Sequence, residues 1–273
     1  MVVRGLKDGS SIVSTQEDHA ELSAQFAAHW GNRDFAKLRP YETVVFATTY
    51  HDSGYREWEG NPPMNVAKGC PYAFREEIPS FEPVELRAYA RNVEWVSSQD
   101  RYAGLLVSMH RTGLWQNRYD TLSSPKGRLR ERSVEVKAAK QQLETKQEEE
   151  KKSLAQGNAK FEDELWFNYR ALQIYDLLSL YFCCDGYTDD DQFKEERLAP
   201  VRLSYDSQTE VELRISPAGG RSVRMEPYPF DIAPLAVSVR ARIVPPGTYP
   251  SEAACLEGYH KAPRTLLSFE IRQ

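Results

Sequence analysis

Thr43–Tyr55 reads TVVFATTYHDSGY, an apolar run that ends on a histidine, an aspartate and, two residues later, a glycine. Pro40 stands close to the first turn of a helix, where its fixed φ is tolerated. The spacing predicts a helix from Tyr41 to about His51, with Gly54 as a left-handed stop. Such an end sets an imidazole and a carboxylate side by side, about 100° apart around the axis. A protonated histidine suits the negative end of a helix dipole, but an aspartate does not. The pair therefore reads better as two donors for a divalent cation than as a cap.

Upstream, residues 11–14 (SIVS) read as a short strand or an extended lead-in. Thr15 is placed to cap a helix whose first turn holds Glu17 and Asp18. His19, Leu22, Phe26 and Trp30 recur at three- and four-residue steps and make one face of it, and Gly31-Asn32 ends it. Downstream, residues 56–83 carry Pro62, Pro63, Pro71, Pro79 and Pro83, which is loop chemistry, and a loop of that length is often a lid or binding segment. Residues 84–97 and 101–115 read as helices. Residues 124–160 are rich in Lys, Glu and Gln and read as an exposed helical excursion with a poor heptad signal for a coiled coil.

Residues 161–184 are apolar over most of a helical circumference, which means burial. Beyond Gly186 the texture changes to alternating, β-branched segments at 201–205, 210–216, 222–230, 235–244 and 266–272, parted by turn residues such as Gly219-Gly220. The expected architecture is mainly α, a helical bundle with a small C-terminal antiparallel β-sheet, α+β overall. Residues 1–200 form the helical domain, with the polar insertion at about 117–160, and residues 201–273 form the β-rich subdomain.

The chain has 273 residues and a formal net charge of -5, with 41% hydrophobic and 27% charged residues, an ordinary globular composition. The mild acidity argues against non-specific binding of a nucleic-acid polymer. No apolar run is long enough to span a bilayer, and Met1–Ser11 has no apolar signal core, so a cytoplasmic location without a membrane partner is expected. Cys70, Cys183, Cys184 and Cys255 show no zinc-type spacing and read as reduced thiols.

Of the five histidines, His19 lies on an inward helix stripe and His110 ends the apolar run LLVSMH. Asp176 lies inside ALQIYDLLSLY, where an unpaired carboxylate is costly to bury, so a metal or an arginine such as Arg170 or Arg101 is expected beside it. Glu59 is a candidate general acid or base, Asp18 a group that can hydrogen-bond a bound water, and Arg56 and Arg111 candidate phosphate clamps. His29 and His260 read as structural and exposed, and Asp189–Asp191 as a solvated turn.

The order His, His-Asp, His, Asp, each on its own helix, resembles the HD superfamily of metal-dependent phosphohydrolases. TVVFATTYHDSGY resembles the helix that ends in that family's His-Asp-x-Gly signature. QEDHAELSAQFAAHW is similar to its first helix and ALQIYDLLSLY to its last. The resemblance implies His19, His51, Asp52 and Asp176 as ligands of a divalent ion (Mn, Mg, Co, Ni, Fe or Zn). It implies His110 as an extra ligand of the two-metal branch, or as a phosphate-binding or acid group. That branch has two extra histidines in the interval where this chain has His110. Residues 11–60 and 105–180 also resemble an uncharacterised family, through Gln16-Glu17-Asp18-His19-Ala20, His51-Asp52-Ser53-Gly54-Tyr55, Trp58-Glu59 and Leu172-Gln173-Ile174-Tyr175-Asp176.

The implied activity is hydrolysis of a small phosphorylated metabolite or nucleotide by metal-activated water. The alternatives are a di-iron oxygenase of HD type and a non-catalytic binding module with a degenerate metal site. The oligomeric state is open, a homo-oligomer included.

Overall fold

A computed structural model describes residues 1–78, 81–115 and 133–273 of the chain. The spine is α7 (Phe161–Leu180), on which every side chain from Ala171 to Leu180 is buried. A helix with this sequence has no solvated face and must be covered on all sides. The cover comes from α1 (Gln16–His29), α2 (Tyr41–Tyr50) and α5 (Arg101–Trp115), with strand β5 (Glu196–Arg202) against another flank. Leu22, Phe26, Leu106, Leu172 and Leu178 have no accessible surface in this core. Each such side chain contributes about 1.5–3 kcal/mol by leaving water.

The expected small C-terminal antiparallel sheet on a mainly helical bundle is not what forms. A seven-stranded curled sheet, shaped as a half-barrel, stands beside the helices, and among the described residues 22% are strand against 48% helix. Its order runs β1 (Val2–Gly5), β2 (Ser11–Ser14), β8 (Leu235–Val244), β9 (Arg264–Arg272), β7 (Ser222–Glu226), β6 (Glu210–Pro217), β5. Both ends of the chain therefore build one sheet. Ser11, Ile12 and Val13 pair with Val244, Ile243 and Arg242. The pairing is antiparallel except between β7 and β9, which run parallel. Period-2 alternation places Leu235, Val237, Val239 and Ala241 of β8 inward. β1 and β2 are four residues each, too short to show that period, and Ser11–Ser14 is buried at every position.

Other differences are local. The proline-rich segment holds α3 (Arg56–Glu59) and a two-stranded sheet of β3 (Met64–Asn65) and β4 (Cys70–Pro71). The helix after it, α4, starts at Phe81 and ends at Gln99. Within the β-rich part, α8 (Glu252–Lys261) forms on a Ser251 cap. Residues 116–132, which take in the start of the polar insertion expected at about 117–160, lie outside the described residues. The rest of that stretch is α6 (Val134–Ala155), which buries Val136 and Gln147, the latter donating to Ser108 at 2.9 Å and Thr112 at 3.2 Å. No helix among the described residues is long and apolar enough to cross a membrane.

Hydrogen exchange tests the joining of the two chain ends. The amides of Ile12 and Val13 are expected to exchange as slowly as those of Val237–Ala241, because they open with one cooperative sheet. Fast exchange at residues 11–14 alone would mean that β2 is a detached lead-in.

Candidate metal centre

The site is assembled by local chemistry at the start of α1 and the end of α2. Thr15 accepts from the Asp18 amide at 2.9 Å and Asp18 accepts from the Thr15 amide at 3.2 Å, a reciprocal cap. This fixes α1 so that His19, one residue on, is buried against α7. At the other end, α2 stops at Tyr50, His51 is its C-cap, and Asp52 leads into one 3-10 turn over Ser53–Tyr55.

Gly54 does not act as the expected left-handed stop, since its φ is not positive. Glycine is needed there for space: a Cβ would lie 2.2 Å from the Ala88 carbonyl oxygen of α4 and 2.9 Å from the Asn92 side chain. Asn92 then clamps the turn. Its amide donates to the Tyr50 carbonyl at 3.0 Å and the His51 carbonyl at 2.8 Å, and Ser53 donates to its oxygen at 2.6 Å.

Five side chains from four segments meet behind this turn. His19 Nε2 lies 3.3 Å from Asp52 Oδ2, and His19 Nδ1 3.6 Å from Asp176 Oδ1. His51 Nε2 lies 3.5 Å from the same Asp176 oxygen. The His51 ring is 5.2 Å from that of His19 and 4.9 Å from that of His110. All five are buried, the three imidazoles at 1% exposure, Asp176 at 4% and Asp52 at 5%. Donor atoms of His19, His51 and Asp176 lie within 4.8 Å of one another, and so do those of His51, Asp52 and His110. Bonds of about 2.0–2.2 Å to one ion put opposite donors about 4.2 Å apart, so such clusters are of coordination size.

The partners behind the ligands set which nitrogen faces inward. The Thr48 carbonyl, 2.7 Å from His51 Nδ1, can only accept, so Nδ1 carries a proton and Nε2 is left to the site. Ser179 donates to the Asp176 carbonyl at 2.7 Å, so its oxygen accepts from His19 Nδ1 at 2.8 Å, and His19 Nε2 faces Asp52 Oδ2 at 3.3 Å. Asp52 Oδ1 is buried without a hydrogen-bond partner among the described residues, and His51 Nε2 meets only the Asp176 oxygen, at 3.5 Å. Two imidazole nitrogens and two carboxylates, one of them with an orphaned oxygen, make a donor set that fits a divalent ion.

Electrostatics points the same way. Burial pulls the His51 imidazole down, but the Asp176 hydrogen bond and the charges of Asp52 and Asp176 outweigh it and raise its pKa to about 9. Burial pushes Asp176 up, and the His51 hydrogen bond with the three imidazoles' charges brings it down to about 2. Asp52 moves the same way, against burial, through the His19 hydrogen bond and the charges of His51, His19 and Arg111. Burial and the His51 charge hold His110 down at about 4, so it is neutral at pH 7.

The remaining candidates lie apart from the cluster. Asp18 and Glu59 line a neighbouring cleft of about 230 Å³ with Arg56, Tyr259, His260 and Arg264. Burial raises Glu59 to about 7, although the Met1 amino group, 3.6 Å away, and the Gln16 amide, which donates to the two carboxylate oxygens at 2.8 and 3.0 Å, favour its charged form. Arg56 is exposed and paired with Glu17. Arg111 is buried over the Tyr89 ring and reaches Glu85 and Tyr55 at 3.4 Å, so it is caged away from the cleft. His29 pairs with Asp231 at 3.0 Å, and His260 is exposed on α8. Neither arginine expected beside Asp176 is there: Arg170 donates to the Pro200 carbonyl and Arg101 pairs with Glu150. Sequence reasoning missed Asn92 and Ser179. Ser179 carried a signal, standing one helical turn after Asp176 on the same buried face.

Gly54→Ala is expected to cost about 1–3 kcal/mol in denaturant unfolding, because the overlap with Ala88 forces the turn off α4. Unchanged stability would contradict the close approach.

No curated protein and no solved structure matches the chain. The model of a family described as protein of unknown function (DUF3891) matches residues 1–246, a span that holds all five clustered side chains and β1 through β8. The chain belongs to that family.

Proposed function

We propose that the protein is a metal-dependent hydrolase of HD type that cleaves a phosphate ester of a small molecule. The observation that carries this reading is the convergence of His19, His51, Asp52, His110 and Asp176 in one buried cluster with donor spacing of coordination size. A divalent ion supplies Lewis acidity there, polarising a phosphoryl oxygen and activating water near neutral pH. The chain's own residues hold and orient. Thr48 and Ser179 fix the two ring tautomers, and Asn92 holds the His51-Asp52 turn against α4. Glu59, with a pKa near neutrality and within the field of Asp52, is the group suited to move a proton at the cleft wall. A net charge of -5 favours a small substrate over a nucleic-acid polymer. A cytoplasmic setting goes with this reading and with the four free thiols.

A panel of phosphorylated metabolites, assayed with each of several divalent metals, tests the activity. Phosphate release is expected with at least one metal. His51→Ala and Asp176→Ala, folded by circular dichroism, are expected to lose it by at least about 100-fold, more than loss of a supporting hydrogen bond costs. Full activity in both variants would sink the reading.

Metal affinity also has a predicted pH profile. Without a cation His51 is protonated below about 9, and a bound ion must displace that proton. Apparent affinity is expected to rise about tenfold per pH unit from 7 towards 9 and to level off above. Titration calorimetry in two buffers of different ionisation enthalpy reads the released proton. A flat profile with no proton release would contradict the placement of the ion at His51.

A further inference from the structure

Arg240, Arg242 and Arg264 crowd one corner of the sheet, at the end of β8 and the start of β9. Arg242 and Arg264 are direct partners across the antiparallel β8–β9 pair. Side chains opposite each other in such a pair share a face, with Cβ atoms about 4.5–5.5 Å apart, and like charges there repel. α1 passes this corner and offsets part of the charge. Glu21 pairs with Arg240, and Asp18 reaches Arg264 Nη2 at 3.5 Å. Arg242 has no carboxylate partner among the described residues. Its Nη1 donates to the His260 and Ala262 carbonyls at 3.0 and 2.6 Å, and its guanidinium carbon stands 5.3 Å from the centre of the Tyr259 ring.

Arg242, Arg264, Tyr259 and His260 line the cleft of about 230 Å³ described above. The acids that line it are held by other partners. Glu17 pairs with Arg56. Asp18 Oδ2 accepts from the Thr15 amide at 3.2 Å and the Thr15 hydroxyl at 2.7 Å, and both Glu59 oxygens accept from the Gln16 amide. Pairing Arg56 with Glu17 and Arg264 with Asp18 leaves the Arg242 charge unmatched. Tyr259 is buried, and burial pushes its phenol up to about 12, so it stays a neutral donor. A guanidinium fork takes two oxygens of a phosphoryl or carboxylate group. The cleft is smaller than the ~300–1,000 Å³ of sites for drug-sized ligands, so the body behind such a group is small.

We propose that Arg242 and Arg264 form a binding site for a small oxyanion, a phosphoryl or carboxylate group held between the two guanidinium forks at the C-terminal end of α8. The anion relieves the repulsion that the strand register imposes on the two arginines. None of the five clustered side chains lines this cleft, so the site stands apart from the candidate metal centre and binds its anion with or without a metal ion.

The test is calorimetric binding of inorganic phosphate and of malonate at pH 7 to protein freed of metal by chelator dialysis. At least one of the two anions is expected to bind at about millimolar concentration or below. Phosphate alone identifies the ligand group as phosphoryl, malonate alone as carboxylate, and competition between them as the oxygen pair common to both. Arg242→Gln and Arg264→Gln are each expected to weaken binding at least about tenfold. Arg240→Gln removes a neighbouring charge that Glu21 already pairs, and is expected to change affinity less than about twofold. Should Arg242→Gln unfold through loss of its bonds to the end of α8, Arg264→Gln, which makes no such bonds, decides alone. Binding of neither anion, unchanged affinity in Arg264→Gln, or an equal loss in Arg240→Gln overturns the proposal and leaves the metal reading untouched.

Discussion

A carboxylate in the middle of a helix buried on every side is the constraint that the rest of this structure answers. Asp176 stands among Ile174, Tyr175, Leu177 and Leu178, none of which reaches much solvent. An uncompensated charge in such a place costs several kcal/mol even after relaxation. The compensation comes from the imidazoles, which a second carboxylate, Asp52, shares. Two negative groups then share a site whose negative charge at pH 7 is reduced by the proton that His51 holds, while His110 is held neutral. A proton on His51 thus supplies charge that a divalent ion would supply more fully. That exchange ties stability, pH and metal affinity to the same five side chains.

The fold serves this cluster through its connections. β2 hands the chain to α1 across a single residue, Thr15, whose cap sets the pitch of the helix that carries His19. β2 is in turn held by β8 in the middle of the sheet. On the other side, α7 runs straight into a π-turn, Tyr181–Asp185, that packs against β1. The N-terminal strands thereby brace both the first and the last helices of the cluster, which carry His19 and Asp176. The middle of the chain supplies the remaining candidate ligands through α2 and α5, with α4 closing over the His51-Asp52 turn at Gly54.

How much of this the sequence shows depends on whether the cause is local. Thr15, the inward stripe of His19, Leu22 and Phe26, the apolar approach to His51-Asp52 and the stranded carboxylate at Asp176 are all local patterns, and the structure brings their polar members together. The role of Gly54 is not local. It is fixed by Ala88, thirty-four positions away, and the same glycine reads equally well as a helix stop. Asn92 lies on a mostly polar helix and gives no hint that it reaches two carbonyls of another. The full extent of the sheet is hidden in the sequence for a related reason. Strands of four residues, VVRG and SIVS, are too short to reveal a period, and their partners come from the opposite end of the chain. The parallel contact of β7 with β9 and the helix α8 also depend on non-local packing.

The central claim is that His19, His51, Asp52, His110 and Asp176 form a metal centre. The most direct measurement is anomalous X-ray diffraction from crystals of the protein, recorded at the absorption edge of the metal found by elemental analysis. The account predicts an anomalous peak inside this cluster, at about 2.0–2.2 Å from His51 Nε2 and a carboxylate oxygen. Crystals of metal-supplemented protein that show no peak there, with the histidines and aspartates contacting only each other, would contradict it.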